Sequence, residues 1–202
     1  MINLKKNSSI SLEKNGEDFK NVCIGLDWGV IKKKAFFGLL RENEAVDLDG
    51  SVTLFDAQKK EKDTVYYRKL VSNDKAIRHS GDDRTGDSSA DNKDNEVIYI
   101  NLEKVSKDVE TIVFYLNSFK QQDFSTIPYS KIRIIEGEHH NPGKVFASYD
   151  LSGDSSFKGS TSMVMAKMKR AAGNRWTFTA IGEAVAAHDI AGTVKVIREK
   201  YL

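Results

Sequence analysis

Cysteine, proline and histidine are scarce in this chain, and long apolar runs are missing altogether. The single cysteine, Cys23, excludes an intrachain disulfide and fits a reducing compartment. It lies in the apolar run Val22-Cys23-Ile24-Gly25-Leu26, which reads as a buried thiol rather than a reactive one. No apolar run approaches the roughly 20 residues of a membrane span. The segment Met1 to Leu12 is polar and lacks the apolar core of a signal peptide. A soluble cytoplasmic protein is the expectation. Neither sign of charge dominates: 31 basic and 29 acidic residues leave a net +2, so no strong global field draws the chain to nucleic acid, and no nucleic-acid partner is expected. Walker A, dinucleotide and G-x-S-x-G fingerprints are all absent. Of the four histidines, His139-His140 stands beside the turn Asn141-Pro142-Gly143 with no third soft ligand nearby, and reads as a solvated pair. His79, beside an acidic loop, reads as a supporting group rather than a general base.

What is present is alternation. Ile98, Ile100 and Leu102 share one face of an extended segment, and Ile112, Phe114 and Leu116 share one face of another. Trp176, Phe178 and Ala180 alternate with Thr177, Thr179 and Ile181. Further strands are expected near 8–13, 21–27, 45–55, 64–71, 129–136, 144–151 and 161–170. Roughly ten short strands with Gly, Asn and Asp turns predict an all-β fold, an antiparallel β-sandwich, as one domain over residues 1–202. From Glu183 the pattern changes to Ala184, Val185, Ala187, His188, Ala191, Val194, Ile197 and Tyr201, which predicts a short C-terminal helix over about 183–201. Lys32-Lys33-Lys34-Ala35-Phe36-Phe37-Gly38-Leu39-Leu40 reads as a basic–apolar insert between strands, and Asn73 to Asn95 as one long polar loop.

Carboxylates are clustered. Asp47 and Asp49 stand two apart, so an extended segment aims both at one point. Asp82, Asp83, Asp87, Asp91, Asp94 and Glu96 crowd the loop that follows Gly81. Like charges this dense raise each other's pKa unless a cation neutralises them. Oxygen-only donors suit a hard divalent ion, Ca²⁺ before Mg²⁺, and the eight acids would serve one or two ions. A solvated acidic loop that binds nothing is the alternative that spacing leaves open. An EF-hand is excluded: counted from Asp47, the sixth position is Val52 rather than glycine and the twelfth is Gln58 rather than glutamate.

These segments carry a resemblance. Asp47-Leu48-Asp49-Gly50-Ser51 resembles the D-L-D-A-S motif of the TerD/TerZ family of tellurium-resistance proteins, and His79-Ser80-Gly81-Asp82-Asp83-Arg84-Thr85-Gly86 resembles its H-S-G-D-N-R-T-G. Gly25-Leu26-Asp27-Trp28-Gly29 is similar to its G-L-G-W-D, and Trp176 to Gly182 to its closing W-x-F-x-A-I-G. The triple lysine, Tyr67-Arg68-Lys69-Leu70 and Leu116-Asn117-Ser118-Phe119 are closest to the TerZ branch. The resemblance spans about residues 2–185. It implies a β-sandwich with calcium bound by acidic loops at one end, no enzymatic activity, and a stress-tolerance role. Implied partners are other stress-response or tellurium-resistance proteins, with peripheral inner-membrane association as a further expectation. It places Asp47, Asp49, Asp82, Asp87, Asp94 and Glu96 at the metal. The chain departs from the pattern in a loop, Gly86 to Glu96, that is three residues longer, in Asp83 for asparagine, and in Gly29 for the G-W-D aspartate with an acid at Asp27 instead. Two other readings follow from the same residues. One is a calcium-dependent membrane module using Lys32 to Phe37, and the other is a Mg²⁺- or Mn²⁺-dependent hydrolase. The lone buried cysteine argues against direct chemistry with tellurite.

Overall fold

The computed structural model describes residues 1–35, 40–89, 93–138, 141–151 and 155–202. The strands are β1 (Ile2–Asn3), β2 (Ser9–Ser11), β3 (Glu13–Lys14), β4 (Glu17–Asp18), β5 (Asn21–Trp28), β6 (Ile31–Ala35), β7 (Leu40–Glu44) and β8 (Leu48–Phe55). They continue as β9 (Glu61–Val65), β10 (Ile77–His79), β11 (Glu96–Asn101), β12 (Thr111–Ser118), β13 (Ser130–Glu138), β14 (Asn141–Asp150), β15 (Ser162–Arg170) and β16 (Trp176–Val185). One helix, α1 (Ile190–Lys200), follows. Two six-stranded sheets result, in the orders β1-β14-β13-β5-β11-β10 and β2-β16-β15-β12-β8-β9. Among the described residues the strands of these two sheets pair antiparallel except β1 on β14.

Period 2 explains how the sheets meet. Val22, Ile24, Leu26 and Trp28 of β5 point inward, as do Ile98 and Ile100 of β11, and they share one buried core with Val52 and Leu54 of β8 and Ile112, Phe114 and Leu116 of β12. The alternate residues of the second sheet, Phe55, Val113, Tyr115 and Val164, point the other way, into a smaller core roofed by Val194 and Ile197 of α1. Burying each of those two helix side chains contributes on the order of 1.5–3 kcal/mol. Buried Asn117 of β12 also donates from Nδ2 to Ser162 Oγ (2.6 Å) and to Thr193 Oγ1 of the helix (2.9 Å). Near its end β16 passes through Gly182 (φ +61°), where a Cβ would stand 2.4 Å from Tyr149 Oη; Ile181 and Val185 on either side face the helix.

The β-sandwich with a terminal helix stands as expected. Four boundaries differ. The helix starts at Ile190, not near 183, because Glu183 to Val185 are still paired with β15 and the N-cap is Asp189, whose carboxylate accepts from Gly192 N–H (2.7 Å). Lys32 to Lys34 are not a strandless insert: β6 pairs with β7 as a two-stranded ribbon. The strand expected at 64–71 is β9 at 61–65, followed by turns and the isolated bridges Tyr66–Lys69 and Val71–Arg78. The polar stretch 73–95 is interrupted by β10, whose Ile77 and His79 are buried against β11. Phe36, Phe37 and the His139-His140 pair lie outside the described residues. Cys23 is buried, with burial and then Asp94 pushing its thiol up to about 11.

Candidate metal centre

The acidic residues gather at one end of the sandwich, where β5 and β12 finish and β8 and β11 begin. They form two groupings rather than one.

The first is made by β8 and its approach. Leu48, Val52 and Leu54 face the core, so the alternate positions Asp47 and Asp49 turn to the other side together. Asp49 pairs across the sheet with Asn117, and the Asp47 carbonyl accepts from Phe119 N–H (2.9 Å), which fixes the backbone of both. Oxygens of Asp47, Asp49 and Asp82 all lie within 4.8 Å of one another. Ligand oxygens around one Ca²⁺ at about 2.3–2.6 Å are at most about 5 Å apart, so the three fit a single ion. Asp47 and Asp49 are buried and Asp82 is exposed. Burial, then the neighbouring charges of Glu96, Asp47 and Asp82, push the Asp49 carboxyl up to about 7. The cations nearest this cluster are at its rim: Lys120 Nζ at 3.7 Å from Asp47, and the mostly exposed Arg84 at 3.6 Å from Asp82.

Glu96 and His79 brace the cluster from the core side. Glu96 is fully buried. It accepts from Gly50 N–H (2.7 Å) and Asp83 N–H (3.3 Å), and stands 3.3 Å from His79 Nε2. A Cβ on Gly50 would come within 2.4 Å of the Glu96 carboxylate, so only glycine lets the two meet. His79 Nδ1 accepts from Gly81 N–H (3.1 Å), which leaves the proton on Nε2 for the Gly50 carbonyl (3.0 Å). With both ring nitrogens engaged, His79 ties the loop to β8.

Asp83 has a third role. Its Oδ1 accepts from Thr85 N–H (2.8 Å), Thr85 Oγ (2.8 Å) and Gly86 N–H (3.2 Å). Burial raises this carboxyl, but those hydrogen bonds outweigh it and hold it below the usual range. It shapes the turn 83–86.

The second grouping lies on the outer face of the first sheet. After the turn, the loop folds back over β5: Asp87 N–H donates to the Trp28 carbonyl (3.0 Å), and Asn95 Oδ1 accepts from Trp28 N–H (2.7 Å). Asp94 is thereby laid over Gly25, where a Cβ would sit 2.1 Å from its carboxylate. Arg133 of β13 pairs with Gly25. Its Nε donates to Asp94 Oδ1 (2.6 Å) and its Nη2 stands 3.7 Å from Asp27. Burial pushes the Asp27 carboxyl up to about 6, against Arg133 and Lys131, which pull it down. Asp94 is also raised, by burial, with Arg133 opposing.

The expected ligands are therefore split. Asp47, Asp49 and Asp82 converge, Glu96 braces them, Asp83 caps a turn, and Asp87 and Asp94 are on the other face of the loop. Asp91 lies outside the described residues. Asp27 and Arg133 were not expected at this end as a pair. Glycine at the outward position Gly25, within an otherwise regular strand, was the available signal that another chain segment approaches there.

Taken together, the fold and this end define a class: a β-sandwich whose tip carries an all-oxygen acidic centre. Residues 1–195 match the TerD domain family, and the chain belongs to that family. It is 36% identical over 185 residues to the tellurium resistance protein TerZ of Serratia marcescens, covering 91% of this chain and 90% of that protein. It is 30% identical over 191 residues to the stress response protein SCP2 of Bacillus subtilis, covering 90% and 92%. A solved homologue of the telluride resistance protein TerD from Streptomyces coelicolor superposes with a TM-score of 0.64 over 86% of this chain and 94% of that one, at 17% identity. Among the described residues, no helix is long and apolar enough to cross a membrane.

Proposed function

We propose that the chain is a non-enzymatic, calcium-binding module of a tellurium-resistance or stress-response system. The observation that carries this reading is the convergence of Asp47, Asp49 and Asp82 oxygens within 4.8 Å, two of the three residues buried. Two carboxylates held this close in a buried place, with a lysine and an arginine at the rim among the described residues, favour a bound cation over bare repulsion. Bound there, Ca²⁺ would supply positive charge and would tie the 80–96 loop to β8. Asp47, Asp49 and Asp82 would hold it, and Glu96 and His79 would keep the backbone of Gly50 and Asp83 in place. Support for the cellular setting comes from the relatives, which are named for tellurium resistance and stress response. An open groove of about 450 Å³ runs from Asp49 past Tyr67, Asn117 and Phe119 to His188 and Asp189, and offers a partner protein a surface next to the ion.

Titration calorimetry of the chelator-stripped chain with Ca²⁺ and with Mg²⁺ tests this. Micromolar or tighter Ca²⁺ binding, weak Mg²⁺ binding and loss of both in Asp47→Ala/Asp49→Ala support it. No heat with Ca²⁺ and an unchanged melting temperature overturn it.

A second reading is favoured by one observation. Phe119 is 58% exposed at the rim of the cluster, its N–H held by Asp47 and its ring edge-on to Tyr67, with Lys120 beside it. An exposed aromatic next to a metal and a lysine suits calcium-dependent contact with an anionic membrane. Sedimentation with phosphatidylserine vesicles, in calcium and in chelator, separates this from a purely protein-binding role.

A further inference from the structure

The question left by eight clustered acids is how many ions they take. Asp27, Asp87 and Asp94 would be the natural donors for a second one, being oxygen-only and partly buried. Between Asp27 and Asp94, however, stands a side chain. Arg133 enters from β13, with 11% of its side chain exposed, and its guanidinium contacts Asp94 at 2.6 Å and Asp27 at 3.7 Å. Three features make this a built arrangement and not a chance surface pair. Gly25 is the position opposite Arg133 and is empty of any Cβ that would block Asp94. Asp94 has only 8% of its side chain exposed and Asp27 only 4%. Asn95 and Asp87 lock the loop to Trp28 on either side of the contact.

We propose that Arg133 is a tethered cation standing where a second metal ion would otherwise bind, so that the chain takes one divalent ion per molecule, at Asp47, Asp49 and Asp82. The stoichiometry rests on the reading of that cluster as the metal centre; the role of Arg133 does not. A guanidinium presents donors in a fixed fork and cannot lose its charge, so the Asp94 side of the loop is closed at all calcium concentrations. Only the Asp82 side then responds to metal. The geometry also leaves a mark of imperfect substitution. Asp27 Oδ1 is buried and has no hydrogen-bond partner, so the guanidinium satisfies the acids here incompletely and a larger coordination sphere has room for one more oxygen.

The test is the number of Ca²⁺ ions bound per chain, by native mass spectrometry and calorimetry, in the wild-type chain and in Asp94→Asn, Asp49→Asn and Arg133→Met. The expected counts are one, one, none and two. Melting in calcium and in chelator is followed alongside. Asp94→Asn should lower the melting temperature equally in both, because it weakens an ion pair and not a metal site. Two ions in the wild-type chain, falling to one in Asp94→Asn, would overturn the proposal. So would an Asp94→Asn loss confined to calcium, which stays informative even where Arg133→Met does not fold. Zero ions in the wild-type chain would instead sink the metal reading of the Asp47 cluster. Arg133 would then be judged by its own variant: one ion gained in Arg133→Met sustains the assignment and none overturns it.

Discussion

The Asp94 grouping and the Asp47 cluster are supplied in part by one loop, yet they are held in different ways. Around Asp94 the counter-charge is internal: Arg133 comes from a neighbouring strand and is buried with its partners. Around the Asp47 cluster the counter-charges stand at the solvent edge, an ammonium 3.7 Å from Asp47 and a guanidinium 3.6 Å from Asp82. Rim pairs of that kind contribute about 0–1 kcal/mol, because water screens them and long side chains lose freedom to make them. Buried acids with weak compensation are a poor source of stability but a good receptor for an ion. The comparison teaches that density of carboxylates alone does not mark a metal centre; whether the compensating cation is buried among them or stands at the solvent edge does.

The strongest way to break this comparison is to remove the internal cation. Arg133→Ala leaves Asp94 and Asp27 buried without it, and truncating one partner of a buried pair costs about 3–5 kcal/mol. For a chain of this size that is roughly 6–20 °C in melting temperature in chelator, with part of the loss recovered in calcium by the ion that enters the vacated place. Thermal unfolding followed by circular dichroism checks it. A loss under about 1 kcal/mol would mean the pair is no more than a surface contact.

Next in size is the effect of the ion. At a free calcium concentration a hundred times the dissociation constant, binding to the folded state adds about 2.7 kcal/mol. That corresponds to roughly 5–10 °C for this length of chain. Asp49→Asn, which keeps the shape and removes the charge, should abolish the shift while the chain still folds. A calcium-induced shift of the same size in Asp49→Asn would move the ion elsewhere.

Much of this end was legible in the sequence, for reasons that can be named. Asp47 and Asp49 were placed together because a strand repeats every two residues, and β8 obeys that period through Leu48, Val52 and Leu54. The inward faces of β11 and β12 followed from the same rule. The division of the loop acids did not follow, because it depends on the loop returning over β5 and on the register that sets Arg133 opposite Gly25. Such a contact joins residues far apart in sequence, and no local pattern encodes it. The helix boundary failed on ambiguity: Ala184 and Val185 suit a strand as well as a helix, and it is the cap at Asp189 that decides. The lysine run failed because a two-stranded ribbon with an exposed side needs no apolar alternation.

Acidity offers a finer test of the same contrast. Burial raises Asp49 to about 7 and Asp27 to about 6, where a free aspartate titrates near 3.9. Between about pH 4 and 7 the folded chain therefore binds more protons than the unfolded one, and stability falls as pH rises through that window. In chelator, the melting temperature should be higher at pH 5 than at pH 7.5, and Asp49→Asn should flatten the upper part of the slope. Calcium requires the carboxylate form, so its affinity should weaken as pH falls below about 7. A chelated chain that gains stability on going from pH 5 to 7.5 would contradict the assigned direction for both acids.

The smallest effect expected concerns the rim. Lys120 stands 3.7 Å from Asp47 with about half its side chain in water. It competes with a metal for the same carboxylate, though weakly. Lys120→Ala should change stability in chelator by no more than about 1 kcal/mol and should tighten calcium binding by up to about fivefold. The gain should shrink at high salt, since an exposed charge is screened within about 8–10 Å at physiological ionic strength. Lys131, paired with Asp27 in the Asp94 grouping, is the control: it lowers the Asp27 carboxyl's pKa, and Lys131→Ala should leave calcium affinity unchanged. Titration calorimetry of the two lysine variants at low and high salt would sharpen the contrast between the groupings. Equal effects from both lysines would mean that the two groupings act electrostatically as one.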